Sequence, residues 1–198
     1  MISAIDFHTK GLLPMSFTIP PSGRSILAPP GNFDRDALAL ALAGAGPFEG
    51  HVEICGVDMN SRPVDAKGHI AFIPANPVGY PEIKLSDWLL FVARVQGVPG
   101  RYVDAEISRV LDQLDLTRAR NQRLGLMDAG DRFRADISQA LIGDPEVLIW
   151  ATDDVKAALT AAQNINDARS IALVVAQKDL KGKNTEAENV IYIRAKAD

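Results

Sequence analysis

The chain has 198 residues, 47% of them hydrophobic, a formal net charge of −4 and a single cysteine. That length buries one substantial core, so one domain over residues 1–198 with a subdomain is expected, and an acidic balance without basic clusters excludes a nucleic-acid platform. Cys55 alone rules out an intramolecular disulfide and reads as a small buried hydrophobe of a reducing compartment, the cytoplasm. No apolar run approaches the roughly 20 residues that span a bilayer, and the start "MISAIDFHTKGLLPMSF" lacks a basic region before a continuous apolar segment.

The first third is β-rich. "MSFTIP" alternates, "GRSILAPPG" runs a short strand into a Pro-Gly turn, and "EGHVEICGVDM" puts Val52, Ile54 and Val57 on one face. Between the last two, "DRDALALALAG" from Asp34 to Gly44 predicts an Ala/Leu helix ended by glycine. The middle third is helical. "LSDWLLFVARVQG", with Ser86 as its expected N-cap, is apolar nearly all round, which predicts a buried or partnered helix. "VDAEISRVLDQLDL" places Val103, Ile107, Val110, Leu111 and Leu114 on one stripe. The last third returns to strands at "EVLIW", "SIALVVA" and "NVIYIR", separated by the helical "DDVKAALTAAQNINDA". Continuous apolar strands between helices predict an α/β fold with a mostly parallel sheet covered on both faces.

The order strand, Pro-Pro-Gly turn, small-residue helix is that of a phosphate-binding P-loop, and "APPGNFDRDAL" occupies its place. Several longer stretches, in the right order, resemble the nucleotide-binding subunit of ABC transporters, particularly of ABC-2-type exporters. "GHVEICGVDMNSRPVDAKGHIAFIPANPVGYPEIKLSDWLLFVARVQGVPG" is similar to the family's hairpin, Q-loop strand and first part of its helical subdomain. "LDQLDLTRARNQRLGLMDAGDRFRADISQALIGDPEVLIW" is similar to the run through the signature motif into Walker B, "SIALVVAQKDL" to the strand before the switch histidine, and "AENVIYIRAK" to the closing strand. The resemblance covers nearly the whole chain. It implies a P-loop NTPase-like fold with an N-terminal β-rich part and an inserted helical subdomain over roughly residues 78–140.

Against that pattern the functional positions depart one after another. In the ungapped register the Walker A pattern falls on Ala28 through Asp36, with Phe33 at its last glycine, Asp34 at the lysine and Arg35 at the magnesium-binding hydroxyl. A phenyl group fills space that glycine leaves to the phosphates, and a carboxylate for the lysine turns attraction into repulsion of about 4 kcal/mol at 4 Å and an effective dielectric near 20. The strand "EVLIW" ends in Ala151 and Thr152 where the family has its Walker B aspartate and catalytic glutamate. Asp128 and Ala129 replace the signature serine and first glycine, leaving Gly130 matched; Ala75 stands at the Q-loop glutamine and Lys178 at the switch histidine. "DDVKAA" shows no D-loop aspartate, and the adenine-stacking aromatic has no counterpart.

The expectation is therefore a subunit without catalytic residues, metal or nucleotide cofactor, acting as scaffold or regulator of a transporter at the inner face of the membrane. The resemblance implies as partners a transporter membrane subunit, a second nucleotide-binding subunit, or a second copy of the chain. Tyr80, Pro81, Ile83, Trp88 and Phe91 are the candidates for the membrane-subunit contact, because aromatic anchors dominate interfaces; Trp88 and Phe91 also read as ordinary core. One alternative stays open: a loop shifted by one residue, with Gly31 in the turn, Arg35 at the lysine, Asp36 at the magnesium ligand and Asp153 or Asp154 as the missing carboxylate, would make an active ATPase using ATP and Mg²⁺. His8, His51 and His69 lack metal-ligand spacing and read as surface or loop residues.

Overall fold

The computed structural model describes residues 1–31, 33–75, 80–165, 169–180 and 189–194. It divides into two compact units, 1–76 with 146–198, and 77–145.

In the first unit, β1 (Ile2–His8), β2 (Met15–Ile19), β4 (Glu49–Ile54) and β5 (Val57–Asp58) form an antiparallel sheet in the order β2-β1-β4-β5. β3 (Arg24–Ala28), β6 (Ile70–Ile73), β7 (Val147–Ala151), β8 (Ser170–Val174) and β9 (Asn189–Tyr192) form a second sheet in the order β6-β7-β8-β3-β9. Every pairing in it is parallel, and β7 and β8 are buried at all their residues. Burial on both faces explains why "VLIWA" and "SIALV" are apolar without alternation. β1 is the strand that the sequence reading leaves unassigned. It bulges between Ile5 and His8, with Asp6 at φ +50, and this breaks the period-two pattern.

Helix α1 (Arg35–Leu42) follows β3 and buries Leu38, Ala39, Ala41 and Leu42 in a core shared with both sheets. Gly44 ends it as its sequence position predicts. With φ +67, its N–H donates to Ala41 O and the next N–H, of Ala45, to Leu40 O, the paired bonds of a Schellman turn. A Cβ on Gly44 would also lie 2.5 Å from Met59 Sδ. The unit is completed by α2 (Pro63–Gly68), α6 (Val155–Asn164) and a short α7 (Gln177–Leu180). The expected helix past Asn164 runs into residues 166–168, outside the described residues.

The second unit holds α3 (Leu85–Val95), α4 (Val103–Gln113) and α5 (Ala129–Leu141). The stripe expected on "VDAEISRVLDQLDL" is the buried one, Val103, Ile107, Val110, Leu111 and Leu114. Helix α3 departs from expectation at two points. Its N-cap is Lys84, not Ser86, and the N–H groups of Leu85 and Ser86 are taken by Gln122 O and Arg120 O in place of a side-chain cap. Only Leu85, Leu89 and Ala93 of α3 are buried, while Phe91 and Val95 are 56% and 69% exposed.

Candidate functional site

The loop from β3 into α1 is where a P-loop fold brings phosphates to a helix N-terminus. Asn32 lies outside the described residues; around it the N–H groups of Phe33, Asp36 and Ala37 are engaged. Phe33 N–H bonds Pro30 O at 2.9 Å. Asp34 is the N-cap of α1, its carboxylate accepting from the N–H groups of Asp36 at 2.9 Å and Ala37 at 3.3 Å. The helix thus holds its own carboxylate at the end where its dipole would draw an anion. Phe33 packs against the core, its ring edge 3.8 Å from where a Cβ of Gly11 would lie.

The residues of the shifted loop are likewise committed. Arg35, whose side chain is 18% exposed, bonds Asp153 and, at 3.2 Å, Asp179. Asp36 accepts the N–H of Ala75 at 3.1 Å. Asp154 caps α6, accepting from Ala157 N–H at 3.0 Å, and its own N–H donates to Thr152 Oγ1 at 3.0 Å. Gly31 faces Lys178, whose Cβ, Cγ and Cδ all lie 3.7 Å from a would-be Cβ there. The structure therefore pairs Arg35 with Asp153 and Asp179 and sets Gly31 beside Lys178, while Asp36 is held by the Ala75 backbone. Asp179 is the member that sequence reading missed; no spacing rule connects it to Arg35 across 144 positions.

In the second unit, Asp128 caps α5 by accepting Asp131 N–H at 2.8 Å. Asp136 on that helix is held above the usual carboxylate range by burial, partly offset by its hydrogen bond from Arg132. Tyr80, Trp88 and Phe91 form a ring array, with centroids 5.5 Å apart for the first pair and 5.6 Å for the second. With Ile83 they line an open cavity of 610 Å³ rimmed by Glu82, Lys84, Asp87 and Arg123. Trp88 is half-buried and donates Nε1–H to Gln139 Oε1 at 3.2 Å, so the reading of Trp88 and Phe91 as plain core is corrected: they form a partly open aromatic surface. Pro81 is not in the cavity wall. It packs over Gly125, where a Cβ would come within 2.7 Å of it. Residues 76–79 of the same segment lie outside the described residues.

A further cluster was not legible from spacing. Cys55, His69 and Glu146 place one ligand atom each within 4.8 Å of one another. His69 Nδ1 lies 2.8 Å from Glu146 Oε1, a contact that draws the carboxyl below its usual range, with a hydrogen bond from Cys55 acting in the same direction. Burial and that same carboxylate push the Cys55 thiol up. Cys55 is partly buried, packed against the core as expected of a small hydrophobe but not fully enclosed, in the β4–β5 turn at φ +51.

No family model matches the chain. Over 145 residues it is 23% identical to the molybdate/tungstate import ATP-binding protein WtpC of Pyrococcus abyssi, covering 73% of this chain and 42% of that protein. Over 149 residues it is 25% identical to the Nod factor export ATP-binding protein I of Burkholderia thailandensis, covering 75% and 46%. The chain thus spans less than half the length of these curated relatives. Among solved structures, the ATP-binding subunit of an ABC transporter superposes with a TM-score of 0.76 at 18% identity, over 99% of this chain and 88% of that one. CbiO1 of Clostridium perfringens, part of the ABC transporter complex cbiONQ, superposes with a TM-score of 0.77 at 12% identity, over 98% and 84%. A P-loop order in sequence, a five-stranded parallel sheet with an adjoining antiparallel sheet, and these likenesses converge: the chain is an ABC-type nucleotide-binding domain in fold and a homologue of ABC transporter ATP-binding proteins.

Proposed function

We propose that this domain does not hydrolyse ATP and serves as a scaffold or regulator in a membrane transporter complex. The observation that carries the reading is the Asp34 carboxylate seated on the N–H groups of Asp36 and Ala37 at the head of α1. A γ-phosphate brought there meets a fixed negative charge in place of a lysine, and the guanidinium of Arg35 in the first turn is shared between Asp153 and Asp179. Phosphoryl transfer is catalysed almost entirely by positioning and charge stabilisation. Ala151 and Thr152 at the end of β7 offer no carboxylate for Mg²⁺. These residues do not fit a magnesium-bound triphosphate.

The aromatic cavity of the helical unit supports a protein partner, since Tyr80 and Phe91 are 52% and 56% exposed around a half-buried Trp88. We assign to it a transporter membrane subunit. A second nucleotide-binding subunit or a second copy of this chain is the further partner, and the domain works peripherally at the inner face of the membrane. Among the described residues no helix is long and apolar enough to cross a membrane itself.

A second reading, a divergent active ATPase, draws on the meeting of Arg35 and Asp153 beside the loop. Calorimetric titration with ATP, with and without Mg²⁺, separates the two. The scaffold reading expects no saturable heat up to millimolar nucleotide. Mg²⁺-dependent binding at micromolar affinity that Arg35→Gln abolishes would overturn it.

A further inference from the structure

We infer that Cys55, His69 and Glu146 form a binding site for a divalent transition-metal ion of the zinc and cobalt class. The three come from separate elements: the two-residue turn between β4 and β5, the C-cap of α2, and the residue before β7. All lie in the first unit, at the ends where β6 and β7 begin. Because the sheet is parallel, this is the opposite end of the strands from the loop that follows β3, so the site is independent of any nucleotide.

The framework is fixed before any ion arrives. His69 O accepts the N–H groups of both Glu146 and Val147, at 3.1 and 3.0 Å, and Glu146 O accepts Ser170 N–H at 3.0 Å. Two ligands are thereby locked to the edge of the parallel sheet, and Cys55 is set opposite them by the hairpin. That hairpin does not itself call for sulfur. Cys55 and Gly56 have φ +51 and +82, a turn whose first position favours Asn, Asp or Gly, and a β-carbon there costs on the order of 1 kcal/mol.

The donor set gives the class of ion. Thiolate, imidazole and carboxylate together suit zinc-like ions, whereas calcium and magnesium take oxygen ligands. Metal–ligand bonds of about 2.0–2.3 Å hold tetrahedral donors about 3.3–3.8 Å apart. The present spread of at most 4.8 Å is within about 1–1.5 Å of that spacing. Three protein ligands leave a fourth position, beside the Met1 amino group that lies 3.6 Å from Cys55 Sγ, and side-chain exposures of 32% for His69 and 61% for Glu146 leave a path for entry. Without an ion, Glu146 accepts hydrogen bonds from the imidazole Nδ1–H and the thiol; on binding, the thiol proton passes to solvent and the imidazole proton moves from Nδ1 to Nε2, which frees the Nδ1 lone pair. The bound ion ties the antiparallel sheet to the start of β6 and β7.

Titration of the full chain with Co²⁺ tests this. The expected result is a thiolate-to-cobalt charge-transfer band that saturates at one equivalent and is displaced by Zn²⁺, together with a Zn²⁺-dependent rise in melting temperature. Cys55→Ser should abolish the band, His69→Gln and Glu146→Gln should each weaken binding at least about tenfold, and His51→Gln should change nothing. Should a variant fail to fold, X-ray absorption of the cobalt-loaded wild type decides, one sulfur and one imidazole in the coordination shell being expected. Absence of a saturable band overturns the inference. So does a band whose affinity is unchanged in both His69→Gln and Glu146→Gln, which would mean a surface thiol acting alone.

Discussion

Replacing Arg35 by glutamine separates a structural role for this cation from a phosphate-binding one. Its charge-assisted bond to Asp179 has side chains 18% and 24% exposed, which places its worth at about 1.5–3 kcal/mol. The pairing with Asp153, whose side chain is 62% exposed, adds about 0–1 kcal/mol. The variant also leaves Asp153 and Asp179 facing each other uncompensated. A loss of about 2–3 kcal/mol is expected, and at about 2–4 °C per kcal/mol for a domain of this size, the melting temperature falls by about 4–12 °C. A nucleotide at a hundred times its dissociation constant would contribute about 2.7 kcal/mol, a rise of comparable size and easily resolved. The assay is thermal unfolding of wild type and Arg35→Gln, each with and without millimolar ATP and Mg²⁺. The expected pattern is a large drop in the variant and no nucleotide dependence in either protein. A variant that melts with the wild type, while only the wild type gains stability from ATP and Mg²⁺, would refute the reasoning. A cycle with Asp179→Asn should show coupling above about 0.5 kcal/mol if the pair is structural.

Further substitutions probe the cap, the core, an acidic turn and the aromatic surface. Asp34→Ala removes the cap of α1 and should lower unfolding free energy by about 1 kcal/mol in urea, while Asp34→Asn, which keeps an acceptor, should lose much less. Ile149→Ala, at a fully buried position of β7, should cost about 2–5 kcal/mol by the same measurement. Hydrogen bonds from the backbone and hydroxyl of Ser61 hold Asp58 below the usual carboxylate range. Its contribution is therefore present above the ordinary pKa near about 4 and is lost as pH falls through the lower folded value, so Asp58→Asn should flatten the acid limb of a stability–pH curve. Tyr80→Ala with Phe91→Ala should shift stability by no more than about 0.5 kcal/mol each, yet weaken capture of a transporter membrane subunit by at least about tenfold. Unchanged capture would remove the assigned role of that surface.

Much of the fold was legible because burial writes period and composition into the chain. The uninterrupted "VLIWA" and "SIALV" announced a parallel sheet, and the stripe from Val103 to Leu114 announced the face of α4. What escaped was set by geometry that carries no period: the bulge in β1, and the backbone carbonyls of Arg120 and Gln122 that replace Ser86 at the head of α3. The same divide runs through the sites. Phe33, Asp34 and Thr152 could be placed by order along the chain, but the grip of Asp179 on Arg35 spans 144 positions and the meeting of His69 with Glu146 spans 77. Only the closing of the sheet brings either pair together.

The carboxylate at the head of α1 has a consequence for information as well as for binding. A loop with a free helix N-terminus can be empty or filled by an anion, and so has two states. Under the scaffold reading, a helix that supplies its own counter-anion presents one face at every ratio of ATP to ADP. Any assembly containing it would take its timing from another chain, with this subunit as the constant against which that chain moves.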